Sequence, residues 1–158
     1  MDEKQFLELI SQHQGIIHKI CRVHRDSREE REDLFQEIVY QLWKSAPSFE
    51  SRSAFSTWLY RVSLTTAIAV FRKKRPEIIY TPVLPERLEL PTEPSEQGEL
   101  LLQVLKTLND ADKAIITLHL EALSYQEIAE ITGISESNVG VRLNRIKKKI
   151  QQQLKLKQ

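Results

Sequence analysis

A chain of 158 residues, 41% hydrophobic and 28% charged, has enough apolar material for one ordinary domain or two small ones. No apolar run approaches membrane-spanning length, the opening MDEKQFLELI lacks the basic-then-apolar order of a secretory leader, and a lone Cys21 excludes an intrachain disulfide framework. These features predict a cytoplasmic protein without membrane insertion. The formal net charge of +1 conceals a segregation, with +3 over residues 1–75, −6 over 76–112 and +4 over 113–158.

Phe6, Leu9, Ile10, His13, Ile16, Ile17 and Ile20 recur at helical spacing and predict a first helix from about Lys4 to Val23 with one apolar face. His13, His18, Cys21 and His24 fall close together in sequence. His24 is rotated away from the face that His18 and Cys21 share, and no fourth ligand stands at a zinc spacing, so neither a metal nor another cofactor is expected. A second helix starts at Ser27, where SREE reads as a capping box in which the Glu30 carboxylate reaches back to the cap. Its apolar side is Leu34, Phe35, Ile38, Val39, Leu42 and Trp43, which leaves Asp33, Gln36, Glu37, Tyr40 and Lys44 as an exposed stripe. Such a stripe is either solvated or a protein interface, and the phenol in its middle favours the interface.

Pro47 and the polar SFESRS lead into WLYRVSLTTAIAVFRKKR, Trp58 to Arg75. Wound as a helix, this stretch sets Phe55, Leu59, Val62 and Ala69 on one side and Tyr60, Leu64, Ala67 and Phe71 on the other. Between them runs a strip of Trp58, Arg61, Thr65 and Arg72 that ends in Lys73, Lys74 and Arg75. A ring and guanidinium groups flanking a small hydroxyl make that strip a candidate working surface. The alternative keeps Trp58 and Tyr60 in the core and uses the cations only to complement a helix C-terminus. Five of the six prolines and five glutamates then fall within residues 76–98, a spacing no regular element tolerates. That segment is read as a stiff, self-repelling linker between a domain at 1–75 and another at 99–158.

Past the linker, Leu100, Leu101, Val104, Leu105 and Leu108 predict a short helix interrupted at Asn109 and Asp110, and Ala111 to Leu120 predict the next. LSYQEIAEITGISESNVGVRLNRIKKKI follows. Ser124 and Glu127 form a capping box, Gly133 permits a sharp turn through positive φ, Ser135 caps the following helix, and small Ala129 lets two helices cross closely. This is the pattern of a helix-turn-helix. With Val139, Leu143, Ile146 and Ile150 turned inward, Ser137, Val141, Asn144, Arg145 and Lys148 face a DNA groove. The predicted fold is all-α, two small helical domains on a tether.

DLFQEIVYQLWKSAPSFESRSAFSTWLYRVSLTTAIAVFRKKR resembles region 2 of the extracytoplasmic-function group of bacterial sigma-70 family factors, and residues 99 to 155 resemble region 4. The resemblance implies a specificity subunit that binds core RNA polymerase through its beta and beta-prime subunits and recognises promoter DNA, with an anti-sigma factor as a partner. It assigns Asp33, Gln36, Glu37, Tyr40 and Lys44 to polymerase docking. Trp58, Arg61, Thr65, Arg72, Lys73, Lys74 and Arg75 are assigned to the minus-ten element. The minus-thirty-five element falls to Ser135, Ser137, Asn138, Gly140, Val141, Arg142, Asn144, Arg145 and Lys148. Two departures stand out: Thr65 and Ala69 replace residues that are often Asn and Asp in the family, and Gly140 stands where a basic residue is common. No nucleophile and base at a familiar spacing and no phosphate-binding glycine loop occur, so no catalytic site is expected. Competing readings are a stand-alone helix-turn-helix regulator and a bundle that sequesters a partner.

Overall fold

The computed structural model of the chain describes residues 2–49, 55–72 and 96–157, and every regular element among them is helical. The chain divides into two compact units, Met1–Pro91 and Thr92–Gln158.

In the first unit, α1 (Glu3–His24), α2 (Arg28–Ser45) and α3 (Phe55–Arg72) each pack on the other two, with a 3-10 turn at Ala46–Ser48. α1 starts one residue earlier than the apolar periodicity indicates, because Asp2 caps it: the Asp2 carboxylate accepts from the Gln5 N–H at 2.8 Å and the Gln5 side chain accepts from the Asp2 N–H at 3.1 Å. Phe6, Ile10, Ile17 and Ile20 meet Leu34, Ile38 and Leu42 of α2 in a core that excludes solvent. Trp43 is half-buried and sets its ring edge-on to Phe6 at 5.0 Å. The cap of α2 differs in detail from the expected box. The Ser27 hydroxyl accepts from the Glu30 N–H at 3.1 Å, but the Glu30 carboxylate takes the hydroxyl proton of Ser27 at 2.9 Å rather than its backbone N–H.

His13, His18 and Cys21 pack into the bundle. His13 Nδ1 donates to the Leu9 carbonyl at 2.9 Å and its ring lies on Phe55, while His18 stacks on Phe35 at 4.6 Å. Burial pushes the Cys21 thiol up to about 12, so it stays protonated and unreactive at neutral pH.

α3 buries one continuous arc rather than two opposite faces. Leu59, Tyr60, Ser63, Leu64, Thr66 and Ala67 are all inside, so the two apolar edges meet across the small Ser63. Thr66 satisfies its hydroxyl on the Val62 carbonyl at 2.7 Å, whereas the fully buried Ser63 Oγ has no hydrogen-bond partner. The expected positions of Ala69 and Phe71 lie outside the described side chains.

In the second unit α7 (Glu136–Lys157) is the spine against which α4 (Glu96–Lys106), α5 (Asp110–Leu120) and α6 (Tyr125–Thr132) pack. α4 already includes residues 96–98, which the composition assigned to the linker; once prolines cease at Pro94, Glu96 and Glu99 favour a helix N-terminus. Asn109 does more than interrupt: its side chain accepts from the Asp112 N–H at 2.8 Å and caps α5. Between α6 and α7 the chain turns at Gly133 with φ +78°, a conformation that would strain a residue bearing Cβ.

Candidate protein and nucleic-acid interfaces

The first candidate surface is the solvent side of α2. Gln36 and Lys44 are exposed, Asp33, Glu37 and Tyr40 half-buried, and the opposite side of the helix is committed to the core through Leu34, Ile38 and Leu42. Glu37 accepts from the Gln41 amide at 3.1 Å, which fixes its carboxylate along the helix surface.

On α3 the expected strip loses its ring. Trp58 is only 8% exposed, between Phe49 at 5.0 Å and Phe55 at 5.4 Å, and so belongs to an aromatic cluster that closes the bundle. The turn after α2 folds Phe49 over a position that an isolated helix would leave open. Arg61 and Thr65 do face solvent, and among the described side chains of the strip these two are the exposed ones. The side chain of Arg72 and all of Lys73, Lys74 and Arg75 lie outside the described residues. Arg25 steadies this helix from the end of α1: one arm donates to the Ala67 carbonyl at 2.9 Å and the other to its neighbour His24 at 2.7 Å. Arg31 in turn donates to the Arg25 and Asp26 carbonyls.

The third surface is the outer face of α7 and the turn before it. Ser124 accepts from the Glu127 N–H at 3.1 Å and Glu127 accepts from the Ser124 N–H at 3.0 Å, the reciprocal box expected at the start of α6. The backbone hydrogen bond from Ser124 holds the Glu127 carboxyl below its ordinary value. Ser135 accepts from the Asn138 N–H at 3.2 Å and caps α7. Val139, Leu143, Ile146 and Ile150 point inward, leaving Ser135, Ser137, Asn138, Val141, Asn144, Arg145 and Lys148 exposed and Gly140 and Arg142 half-buried. The outer face therefore presents hydroxyls, amides, an apolar side chain at 66% exposure and cations, the mixture that reads base edges and phosphates in a major groove.

Two features of this face were not visible in the sequence. Asp112 of α5 is buried with its carboxylate between Arg142 at 3.6 Å and Arg145 at 3.8 Å, a contact across thirty residues that no local spacing announces. Gly140 is not simply a missing cation. A Cβ there would lie 3.3 Å from the Tyr125 ring, so the glycine makes room for that ring beside α7. His119, whose ring is 6.4 Å from Tyr125, is held below its ordinary pKa first by burial and then by Lys147.

Family models separate along the same two units. One described as "Sigma-70 region 2" matches residues 9–77 and one described as "Sigma-70, region 4" matches residues 98–150. The chain belongs to the sigma-70 family. Relatives along nearly its whole length place this sigma-70 member in the extracytoplasmic-function group. "ECF RNA polymerase sigma factor SigW" of Bacillus subtilis is 27% identical over 98% of this chain and 91% of its own, and "ECF RNA polymerase sigma-E factor" of Haemophilus influenzae is 28% identical over 97% and 89%. Among solved structures, CnrH in complex with the cytosolic domain of CnrY superimposes with a TM-score of 0.71 at 18% identity, covering 99% of this chain and 92% of that one. RpoE in complex with the anti-sigma factor NepR from Bartonella quintana superimposes at 0.69 and 20% identity, covering 98% of both. At those identities the likeness is one of fold. No helix among the described residues of this sigma-70 member is long and apolar enough to cross a membrane.

Proposed function

We propose that this protein is a promoter-specificity subunit of RNA polymerase, without catalytic chemistry of its own, acting in the cytoplasm. The observation that carries the proposal is the two-sided construction of α7 within a chain that also contains a region 2 unit. Its inner face is apolar core and its outer face is polar and basic around the exposed Val141. Water alone would accept a polar face, so what supports DNA is the set of cations and amides on the second helix of a helix-turn-helix, joined to a region 2 unit.

In this reading the α2 stripe of Asp33, Gln36, Glu37, Tyr40 and Lys44 docks on the beta-prime subunit of core polymerase. The α7 face from Ser135 to Lys148 enters the major groove of the minus-thirty-five element. Arg61 and Thr65, followed by the cations from Arg72 to Arg75, meet the minus-ten element as its strands part. Cations at the end of a helix attract phosphates whatever the sequence. Thr65 supplies a single hydroxyl, whereas an asparagine amide pairs with a base edge through two groups, so selection at the base nearest Thr65 is weak. RpoE, which shares this fold, is solved with the anti-sigma factor NepR, which supports an anti-sigma factor as a partner here as well.

The test is binding to core polymerase. Immobilised core should retain the wild-type chain and release a Glu37→Ala/Tyr40→Ala chain that is equally well folded by circular dichroism. Equal retention of both would move the docking surface elsewhere. Tight duplex binding with no affinity for core would make the protein a stand-alone regulator.

A further inference from the structure

Arg142 and Arg145 stand three residues apart on α7, so their guanidinium groups emerge side by side and repel each other. A single carboxylate lies between them. Asp112 Oδ1 is 3.6 Å from one Nη1 of Arg142 and Oδ2 is 3.8 Å from an Nη2 of Arg145. The Asp112 side chain is 9% exposed, against 30% for Arg142 and 66% for Arg145, so the acid sits behind the two cations rather than in front of them.

We propose that Asp112 is a positioning residue for minus-thirty-five recognition: its carboxylate aims Arg142 and Arg145 at the groove without using up their donors. The inference rests on the reading of α7 as the groove helix. Both separations exceed the usual length of an N–H···O bond, about 2.7 to 3.2 Å, so attraction fixes where the guanidinium groups stand while their N–H groups stay available for bases and phosphates. The backbone that carries the acid is anchored. It lies in the first turn of α5, its N–H is held by Asn109 at 2.8 Å, and α5 packs directly on α7. Its Oδ1 accepts no hydrogen bond, so the two cations are what compensate its burial. Arginine surrenders substantial rotamer freedom on binding, and a fixed countercharge reduces that loss at both positions together. The acid adds no affinity for DNA as such, since it removes one positive charge from the face. Its contribution is to discrimination.

The test compares holoenzymes carrying wild-type and Asp112→Asn chains, with an amide of nearly the same volume. Two duplexes serve as probes: one selected by wild-type holoenzyme from a pool randomised at the minus-thirty-five position, and a scrambled duplex of the same composition. Asp112→Asn should lower the ratio of affinities for the two by about tenfold, the scale of one well-placed arginine contact. Affinity for the scrambled duplex should hold or rise. In an Arg142→Ala/Arg145→Ala background, Asp112→Asn should change the ratio no further.

An Asp112→Asn chain that binds both duplexes more tightly at an unchanged ratio would overturn the proposal and make the acid a simple electrostatic brake. Equal loss on both duplexes with a collapsed thermal midpoint would overturn it in favour of a structural role. If Asp112→Asn does not fold, the Arg142→Ala/Arg145→Ala chain decides: full retention of discrimination would show that the arginines read nothing. Failure of the groove reading itself looks different, because wild-type holoenzyme would then enrich no sequence from the pool.

Discussion

Replacing Trp58 with alanine tests the aromatic closure of the first unit. The indole is 92% removed from solvent, with Phe49 and Phe55 rings 5.0 and 5.4 Å from its centre. Deleting a buried tryptophan costs about 3 to 5 kcal/mol through lost transfer energy and the cavity left behind. In a helical unit of this size each kcal/mol moves the midpoint by about 4 to 8 °C, so the first unit should melt at least about 12 °C lower. Trp58→Phe keeps a ring against both neighbours and should recover most of the loss. The assay is thermal unfolding of the full chain by calorimetry, with core-polymerase binding measured at a temperature where both variants are folded. A Trp58→Ala chain that melts within about 3 °C of wild type would refute the packing argument and return the ring to the exposed strip.

Three further outcomes follow from named groups. Ser63→Ala removes a buried hydroxyl that has no partner and should stabilise the chain by about 1 kcal/mol, seen as a higher urea midpoint at constant slope; destabilisation would mean the hydroxyl is bonded. The folded-state pKa of Glu127 is depressed, so its cap contributes stability above the ordinary glutamate pKa and loses it as pH falls through the folded value; Ser124→Ala removes the hydroxyl but keeps the backbone N–H that matters most, so the Glu127 carboxyl, followed by NMR titration, should move only part of the way back toward its ordinary value, and a full return would contradict the backbone bond. Gly140→Lys should steepen the dependence of log K on log salt for duplex DNA by about 0.9, with the Tyr125 ring yielding slightly; an unchanged slope would place residue 140 away from phosphate.

How much of this was legible in the sequence depends on whether the information is local. α7 was readable because one long helix repeats apolar residues every three or four positions, and Val139, Leu143, Ile146 and Ile150 all turn inward as that period requires. Caps at Ser124 and Ser135 were readable because each is completed within four residues. Trp58 was misplaced because its burial comes from Phe49, beyond the helix on a preceding turn whose path periodicity cannot supply. Tyr60 and Ala67 were assigned one apolar face and Leu59 the other, but the three-helix packing joins them through Ser63, whose polarity suggested no burial. Asp112 read as one more acid in an acidic stretch. Its pairing with Arg142 and Arg145 exists only once α5 is laid across α7. Gly140 had a visible absence, a cation missing from a basic helix, and an invisible cause in the Tyr125 ring.

The central claim, that the two units together make a promoter-specificity subunit, is tested most directly by run-off transcription. Core RNA polymerase is incubated with fragments of bacterial genomic DNA, with and without the full chain, and the transcripts are sequenced. A defined subset of fragments should yield discrete starts only when the chain is present, and those starts should share sequence upstream, at the minus-ten and minus-thirty-five positions. The Glu37→Ala/Tyr40→Ala chain should abolish these starts while it still folds. Transcripts identical with and without the chain, from a protein shown to bind duplex DNA, would contradict the account.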